Sequence, residues 1–471
     1  EGTYIATGAQ AEAAGDLQVS YHAGLVSARE EKALGVNVNF DPCVDILYNW
    51  RNTIVNTRAY GTDAETVIKY TNAYLDGLTA ENGENMEDGV IQCIKHFPGD
   101  GTEERDQHLV LGVNELSPEE WRASFGKVYQ NHIDRGVEMI MAGHIAVPAL
   151  QKELNSALED KDIMPATLAE ELIQDELKTE LGFNGLVITD ATHMLGMTSA
   201  MRREDYVPKS IAAGCDMFLF FNNIEEDFGF MLKGYQNGVI TEERLTDALR
   251  RILGLKAKLH LPEKQANGTL LRTREDLNVI GCEEHLQWRA EAADKGISLI
   301  KDTQNNLPIN PVDHKRIRLY MLEGEKGGIT DNGSKAQQLF VDELTKRGYE
   351  VTVNERGSRV KGATLKYRDE VDFALEVADI AGYGAQNNYR IQWSTAMANE
   401  VPWFVWEVPH AFVSLNFTTH LHDATMVKTF VNAYHNNEET IKQVIDKLEG
   451  KSEFKGGHND LVWTDKWQAK L

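Results

Sequence analysis

An aspartate and a histidine that could transfer a proton lie two residues apart in a polar segment of the chain. Asp106 and His108 follow the segment KHFPG at 95–99, which ends an apolar run at 90–94. A carboxylate so close to an imidazole can orient the ring and raise its basicity, which suits proton transfer near neutral pH. We therefore predict that these two residues form a proton-transfer pair in a loop after a buried strand.

A second candidate carboxylate is Asp190, which directly follows the apolar run Leu186–Thr189. In α/β folds the carboxyl ends of the strands face the pocket in which ligands bind. An aspartate at this position is also a good cap for a following helix. Position alone therefore leaves a chemical and a structural role open for Asp190.

Other polar residues follow the remaining predicted strands, and they share the expected edge of the sheet. They are Asp45, Arg58, Lys95, His96 and His144. A lone histidine at a strand end is more often structural than functional, but here several charged and aromatic side chains would gather at one face. Lysine and arginine at that face would bind hydroxyl or carbonyl oxygens of a polar ligand. We therefore predict that all five residues bind substrate.

The elements that would position these residues alternate between strand and helix over residues 1–262. Predicted strands lie at 36–40, 90–94, 138–142, 186–189 and 217–221, and predicted helices at 16–34, 64–82, 117–135, 167–181 and 241–261. Such alternation predicts a parallel sheet. The strands are fewer than a complete (β/α)8 barrel has. Because the chain opens in mid-pattern, we expect a TIM-like barrel that lacks its N-terminal strand or strands.

The second half of the chain predicts a separate domain. Residues 263–282 indicate a linker, and a predicted helix at 283–295 opens a three-layer α/β sandwich domain that extends over 283–471. Its predicted strands lie at 318–322, 350–353, 379–382, 403–406 and 412–416. The segment from 454 onward is expected to lie on the surface.

Composition excludes several kinds of partner. The 471 residues carry a net charge of −25 with the acidic residues scattered, which argues against nucleic acid and anionic membranes. No apolar run approaches the ~20 residues of a membrane span. Four cysteines lie far apart without a CxxC motif. We expect four free thiols, and hence a reducing, cytoplasmic location.

Several motifs together resemble family 3 glycoside hydrolases, most closely the β-N-acetylglucosaminidase (NagZ-type) branch. They are KHFPG at 95–99 with the D-x-H at 106–108, ALGVNVNFDP at 33–42, NTRAYG at 56–61, MAGHI at 141–145, GLVITD at 185–190 and AGCDM at 213–217. The resemblance extends over nearly the whole chain. It implies a catalytic barrel followed by an α/β sandwich domain.

The resemblance implies a retaining, exo-acting enzyme that removes terminal β-N-acetylglucosamine. Asp190 would be the nucleophile, His108 the acid/base and Asp106 its orienting partner. Arg58, Lys95 and His96 match sugar-binding positions of the family. A neutral imidazole would not repel phosphate, so phosphate could replace water as acceptor. No cofactor or metal is expected.

The chain departs from the branch at two positions. Asp100 stands where the branch often has histidine, and the family's sugar-binding aspartate on an earlier strand has no counterpart in the sequence. Three other functions remain open. One is a metal-dependent hydrolase, in which the strand-end residues His96, His108, His144, Asp106 and Asp190 would be ligands. Against it, no H-x-H lies on a predicted strand and no H-E-x-x-H occurs. The others are a β-glucosidase of the same family, whose branch lacks the D-x-H motif, and a non-catalytic sugar-binding homologue.

Overall fold

The structure is a computed structural model that describes residues 2–83, 86, 89–324, 334–360, 363–380 and 389–471. The described chain divides into two units. The first contains the residues up to Ile5 together with Ser20–Leu286, and the second contains Ala6–Val19 together with Gln287–Leu471. The sequence placed a linker at 263–282. In the structure this stretch contains the helix Leu261–Ala266 and the 3-10 turn Glu275–Val279, and both belong to the first unit.

Five parallel strands form the main sheet of the first unit, in the order β1-β2-β4-β6-β7. The strands of this sheet are β1 Val38–Asn39, β2 Ile91–Phe97, β4 Met139–Ala142, β6 Leu186–Ala191 and β7 Met217–Leu219. Two further short strands, β3 Gly112–Val113 and β5 Ile145–Ala146, pair with each other. The curled parallel sheet is a TIM-like partial barrel, which confirms the predicted fold class. All five strands predicted for this half are present.

Helices connect these strands, as the apolar periodicity predicts. Their bounds are Leu17–Leu34, which starts in the second unit, Ala64–Thr79, Pro118–Trp121, Arg122–Gly126, Lys127–Asp134, Pro148–Leu154, Glu171–Glu180, Leu195–Thr198, Arg203–Ala212, Ile224–Gln236, Glu242–Lys258 and Leu261–Ala266. The segments Arg122–Gly126 and Glu171–Glu180 are π-helical. Local chemistry sets the starts: Asp63 caps the helix that begins at Ala64, and Ser117 forms a capping box with Glu120.

The second unit contains a six-stranded sheet in the order β10-β9-β11-β12-β13-β8, in which only β8 is antiparallel to its neighbour. The strands are β8 Ser298–Asp302, β9 Arg316–Glu323, β10 Glu350–Val353, β11 Phe373–Asp379, β12 His410–Ser414 and β13 Thr429–Asn432. The helices are Gly8–Ala14, Glu283–Gly296, which starts in the first unit, Ala336–Lys346, Thr364–Glu370 and Glu438–Leu448. Strands with helices between them agree with the predicted α/β architecture.

Two predicted strands of this unit need correction. Residues 403–406 form turns and not a strand. Their apolar character serves packing: the Phe404 ring stacks on Tyr320 with centroids 4.9 Å apart, and Trp403 packs against the same cluster. The strand predicted at 379–382 lies earlier, at Phe373–Asp379, and residues 381–382 are outside the described ones. β8 and β13 lie outside the predicted strands.

Glu376 in β11 has a buried carboxyl group that forms no hydrogen bond with the described residues. Its side chain is 1% exposed, and neither carboxyl oxygen has a hydrogen-bond partner among the described residues. Burial, together with the nearby Glu400 carboxylate, raises the pKa of Glu376 well above its ordinary value of 4.5. The group is therefore protonated in the folded state over a wide pH range.

We predict that Glu376→Gln stabilises the second unit at neutral pH. Below pH 4.5 the acid is protonated in both the folded and the unfolded chain, so the variant gains little. Above it only the unfolded chain ionises, and the variant gains ~1.4 kcal/mol per pH unit until Glu376 ionises in the folded state. Thermal unfolding between pH 4 and 8 measures this, with the exposed Glu355→Gln as control. A pH-independent difference would contradict the prediction.

The four cysteines are all free, as expected, and Cys43, Cys93 and Cys215 are buried. None of the helices in the described part of the chain combines the length and the hydropathy that a membrane crossing requires.

Candidate active site

Asp106 and His108 form the pair that the sequence predicts, in the loop after β2. The Nδ1 atom of His108 lies 2.7 Å from Oδ1 of Asp106, which also accepts the main-chain N–H of His108 at 2.8 Å. Asp106 is fully buried, whereas the His108 side chain is 36% exposed. Burial alone would lower the pKa of His108, but Asp106 outweighs it and the net shift is upward. The ring therefore stays protonated to higher pH than a free histidine.

Asp190 lies near the end of β6, as predicted. Its Oδ1 accepts the N–H of Ala191 at 2.7 Å, and its Oδ2 lies 4.0 Å from Nε2 of His96. Burial favours the neutral acid, but electrostatic interaction with the His96 and His144 rings and the hydrogen bond from the Ala191 N–H outweigh it, so the pKa of Asp190 lies below its usual value. Asp190 also contributes to the raised pKa of His108. The site thus holds an ionised carboxylate near a protonated imidazole.

His96 is held between Asp45 and Arg58. Its Nδ1 lies 2.7 Å from Oδ2 of Asp45, a fully buried carboxylate that also accepts the N–H groups of His96 and Asp100 at 3.2 and 2.8 Å. A guanidinium nitrogen of Arg58 lies 3.4 Å from His96 Nε2, and since arginine can only donate, this ring nitrogen accepts. Burial raises the pKa of Asp45, but His96 reverses the shift. The three side chains form one connected group beside Asp190.

Lys95 lies on the same edge and pairs with Asp41, which is not one of the predicted site residues. Its Nζ is 3.8 Å from Oδ1 of Asp41, which follows β1, and the two side chains are 15% and 49% exposed. The sequence showed Asp41 at a strand end, but nothing in the spacing indicated which cation it would meet.

His144, a predicted substrate-binding residue, is engaged with protein groups through both nitrogens of its ring. It is fully buried. Nε2 donates to the carbonyl oxygen of Ala191 at 2.9 Å, so Nδ1 accepts from the Thr167 hydroxyl at 3.0 Å. Burial lowers its pKa, which favours this neutral form. The geometry gives His144 a positioning role for the segment that carries Asp190.

The loop after β2 is anchored to the segment after β1. Asp100 accepts the Gly101 N–H at 2.6 Å and the Asn52 amide at 2.9 Å, and burial followed by the charge of Asp45 raises its pKa to about 7. The carbonyl of Gly101 accepts the N–H groups of Tyr48 and Asn49 at 3.0 and 2.8 Å. Gly101 has φ +109°, and a Cβ there would lie 2.0 Å from the Ile46 carbonyl oxygen. Only glycine fits this position.

Cys43, Asp45 and His96 each have one atom that could bind a metal ion, and these three atoms lie within 4.8 Å of one another. Among the described residues, this is the cluster whose spacing would suit a metal site. The atoms already bond each other, with the Cys43 thiol 3.1 Å and the His96 ring 2.7 Å from the same Asp45 oxygen. The histidines and aspartates that we considered for a metal hydrolase do not form such a group in the described chain. The arrangement fits a hydrogen-bonded scaffold for the pocket.

The first unit is thus a partial barrel with an ionised carboxylate near an imidazole–carboxylate pair at one edge of its sheet. Comparison with known proteins identifies the chain as a glycoside hydrolase. It belongs to glycosyl hydrolase family 3. Residues 3–255 match the family's N terminal domain. A protein of Cellulomonas fimi named beta-N-acetylglucosaminidase/beta-glucosidase is 39% identical over 476 aligned residues, covering 100% of this chain and 82% of that protein.

Solved structures share the fold of this chain. A protein named Beta-glucoside phosphorylase BglX is 37% identical, with a TM-score of 0.92 over 100% of this chain and 82% of that chain. A family 3 beta-N-acetylglucosaminidase from Paenibacillus sp. str. FPU-7 has a TM-score of 0.78 at 23% identity, covering 95% of this chain and 80% of that chain, and indicates the fold alone. The predicted resemblance to the family is therefore confirmed.

Proposed function

We propose that the protein is a retaining, exo-acting glycosidase that removes terminal β-N-acetylglucosamine. The observation that carries the proposal is the His108–Asp106 contact of 2.7 Å in the loop after β2, together with the ionised Asp190 at the end of β6. Asp190 would attack the anomeric carbon, and the aglycone oxygen would leave as a glycosyl-enzyme ester forms. The lowered pKa of Asp190 supports this role, because a nucleophilic carboxylate must be ionised.

His108 would supply the proton in the first step and remove one in the second. Its Nδ1 faces Asp106, so the other ring nitrogen, Nε2, is the one from which a proton would pass to the leaving oxygen. The neutral imidazole that remains would then take a proton from the incoming water. The raised pKa of His108 supports the acid role at neutral pH.

Arg58, Lys95 and His96 would hold the sugar in the first subsite. Each has a donor or acceptor at the edge where Asp190 lies, and the Asp45 carboxylate fixes the orientation of the His96 ring. Asp45 would thus contribute to substrate binding through His96. Such preoriented groups lower the entropic cost of binding a hydroxylated ligand.

A second candidate is phosphorolysis of β-glucosides or β-N-acetylglucosaminides. Two observations favour it: the acid/base candidate is an imidazole without the charge of a carboxylate, and a structure of 37% identity is named a beta-glucoside phosphorylase. Phosphate would attack the anomeric carbon of the glycosyl-enzyme, releasing Asp190 and a sugar 1-phosphate. The glucosidase alternative is also supported by the double name of the Cellulomonas fimi relative.

Turnover of aryl β-N-acetylglucosaminide and aryl β-glucoside, each with and without phosphate, tests these functions together. Faster release from the N-acetylglucosaminide would support the first proposal, and faster release from the glucoside would support the alternative. A sugar 1-phosphate product would support phosphorolysis. Binding of the sugars without turnover of either substrate would mean a non-catalytic sugar-binding protein.

We also propose a cytoplasmic location. The support is the set of four free cysteines, three of them buried, which is typical of proteins from reducing compartments.

A further inference from the structure

The loop that carries Asp106 and His108 is bonded directly to the segment that follows Asp190. We call residues 98–111 the dyad loop. The N–H groups of Leu195 and Gly196, at the start of the helix Leu195–Thr198, donate to the carbonyl oxygens of His108 and Gln107 at 3.0 and 3.1 Å. Main-chain bonds therefore connect the backbone of the proposed acid/base to the chain that leaves the proposed nucleophile.

The buried side chain of Gln107 makes a second attachment. It is 1% exposed, and its Oε1 accepts the main-chain N–H of His144 at 2.7 Å, while its Nε2 donates to Asp100 at 3.4 Å. The N–H of Gly112, just beyond the dyad loop, donates to the carbonyl of His144 at 3.0 Å. The dyad loop is thus also fixed to the segment that follows β4.

Gly196 packs against both the dyad loop and His144. A Cβ on this residue would lie 2.8 Å from both the Gln107 carbonyl oxygen and the Cβ of His144, and 2.9 Å from the Val110 carbonyl oxygen. Contacts under 3.0 Å essentially never occur for real Cβ atoms, so the backbone would have to shift. The helix and the dyad loop can approach this closely only because residue 196 has no side chain.

We propose that Gly196 and Gln107 are positioning residues that hold the dyad loop against the segment after β6 and so fix His108 relative to Asp190. The proposal rests on the acid/base role proposed for His108. A methyl group at 196 would move His108 away from the leaving oxygen while the His108–Asp106 contact and the Asp190 carboxylate remain in place. The defect should therefore be one of proton transfer.

The test compares Gly196→Ala with Gly254→Ala, a helical position where an added Cβ meets nothing within 4 Å. Both are assayed on aryl glycosides with good and with poor leaving groups. Because a misplacement of ~1 Å can cost ~100-fold, we expect Gly196→Ala to lose about 100-fold on the poor leaving group and much less on the good one. Gly254→Ala should match the wild type on both.

Gln107→Met, which keeps the volume and removes both side-chain hydrogen bonds, is a second variant in case Gly196→Ala does not fold. It should show the same selective loss in a weaker form. Equal loss on both leaving groups, or no loss in either variant, would overturn the proposal. His108→Ala, assayed in parallel, separates the two levels. If His108→Ala is selective and the positioning variants are not, only the positioning proposal fails. If His108→Ala is itself not selective, the acid/base role fails.

Discussion

Replacing Asp190 with alanine should abolish turnover while the protein stays folded. The carboxylate is the proposed attacking group, and its loss should lower kcat by about 10⁴-fold or more, as for other covalent nucleophiles. Among the described residues the side chain hydrogen-bonds the N–H of Ala191 and lies 4.0 Å from the His96 ring, so its removal should disturb the fold little. Asp175→Ala, at an exposed position, is the control.

Azide makes this experiment specific. A small anion can enter the space that the Asp190 carboxyl group leaves and attack the anomeric carbon directly, so added azide should restore part of the rate and give a glycosyl azide of inverted configuration. The product is identified by NMR. Near-normal activity of Asp190→Ala, without azide, would rule out the nucleophile assignment.

The second large effect concerns His108. His108→Ala should lose about 10²- to 10⁴-fold on substrates with poor leaving groups, the usual range for general acid catalysis, and far less on activated phenols, which hardly need a proton. The measurement is kcat/KM across a series of aryl glycosides, with the exposed His458→Ala as control. A loss that does not depend on the leaving group would make His108 a binding residue.

Asp106→Ala should show the same pattern more weakly, and its pH profile should identify the cause. In the wild type Asp106 raises the pKa of His108, so activity on poor leaving groups should persist until the pH rises through that raised value. Without Asp106 burial lowers the pKa of the ring, and the basic limb of the profile should move to lower pH. An unmoved limb would contradict the orienting and charge-supporting role of Asp106.

The sequence was sufficient for those parts of the site that lie close together along the chain. The D-x-H spacing placed Asp106 beside His108, and the apolar run before Asp190 placed that residue at a strand end. Both predictions concern residues close together along the chain, and their relative positions follow directly from the number of residues between them. The parallel sheet followed in the same way from the alternation of strand and helix.

Contacts between distant segments could not be predicted in this way. The partners of the His144 ring are Thr167 and Ala191, so no local pattern showed that both nitrogens would be occupied. Gln107 stood between Asp106 and His108 as an unmarked residue, and its role depends on a bond to His144. The aromatic run at 403–406 was misinterpreted for the same reason, since its apolar character serves packing on Tyr320.

The close contact at Gly101 has a consequence for protein engineering. Gly101 packs directly against the Ile46 carbonyl group, and its own carbonyl oxygen accepts the N–H groups of Tyr48 and Asn49. The loop after β2 and the segment after β1 are therefore complementary in shape and in hydrogen bonding. Grafting the loop alone into a related barrel would bring it against a foreign neighbour. Chimeras that exchange acid/base chemistry between family members should therefore transplant residues 44–52 and 98–111 together, as a two-segment cassette.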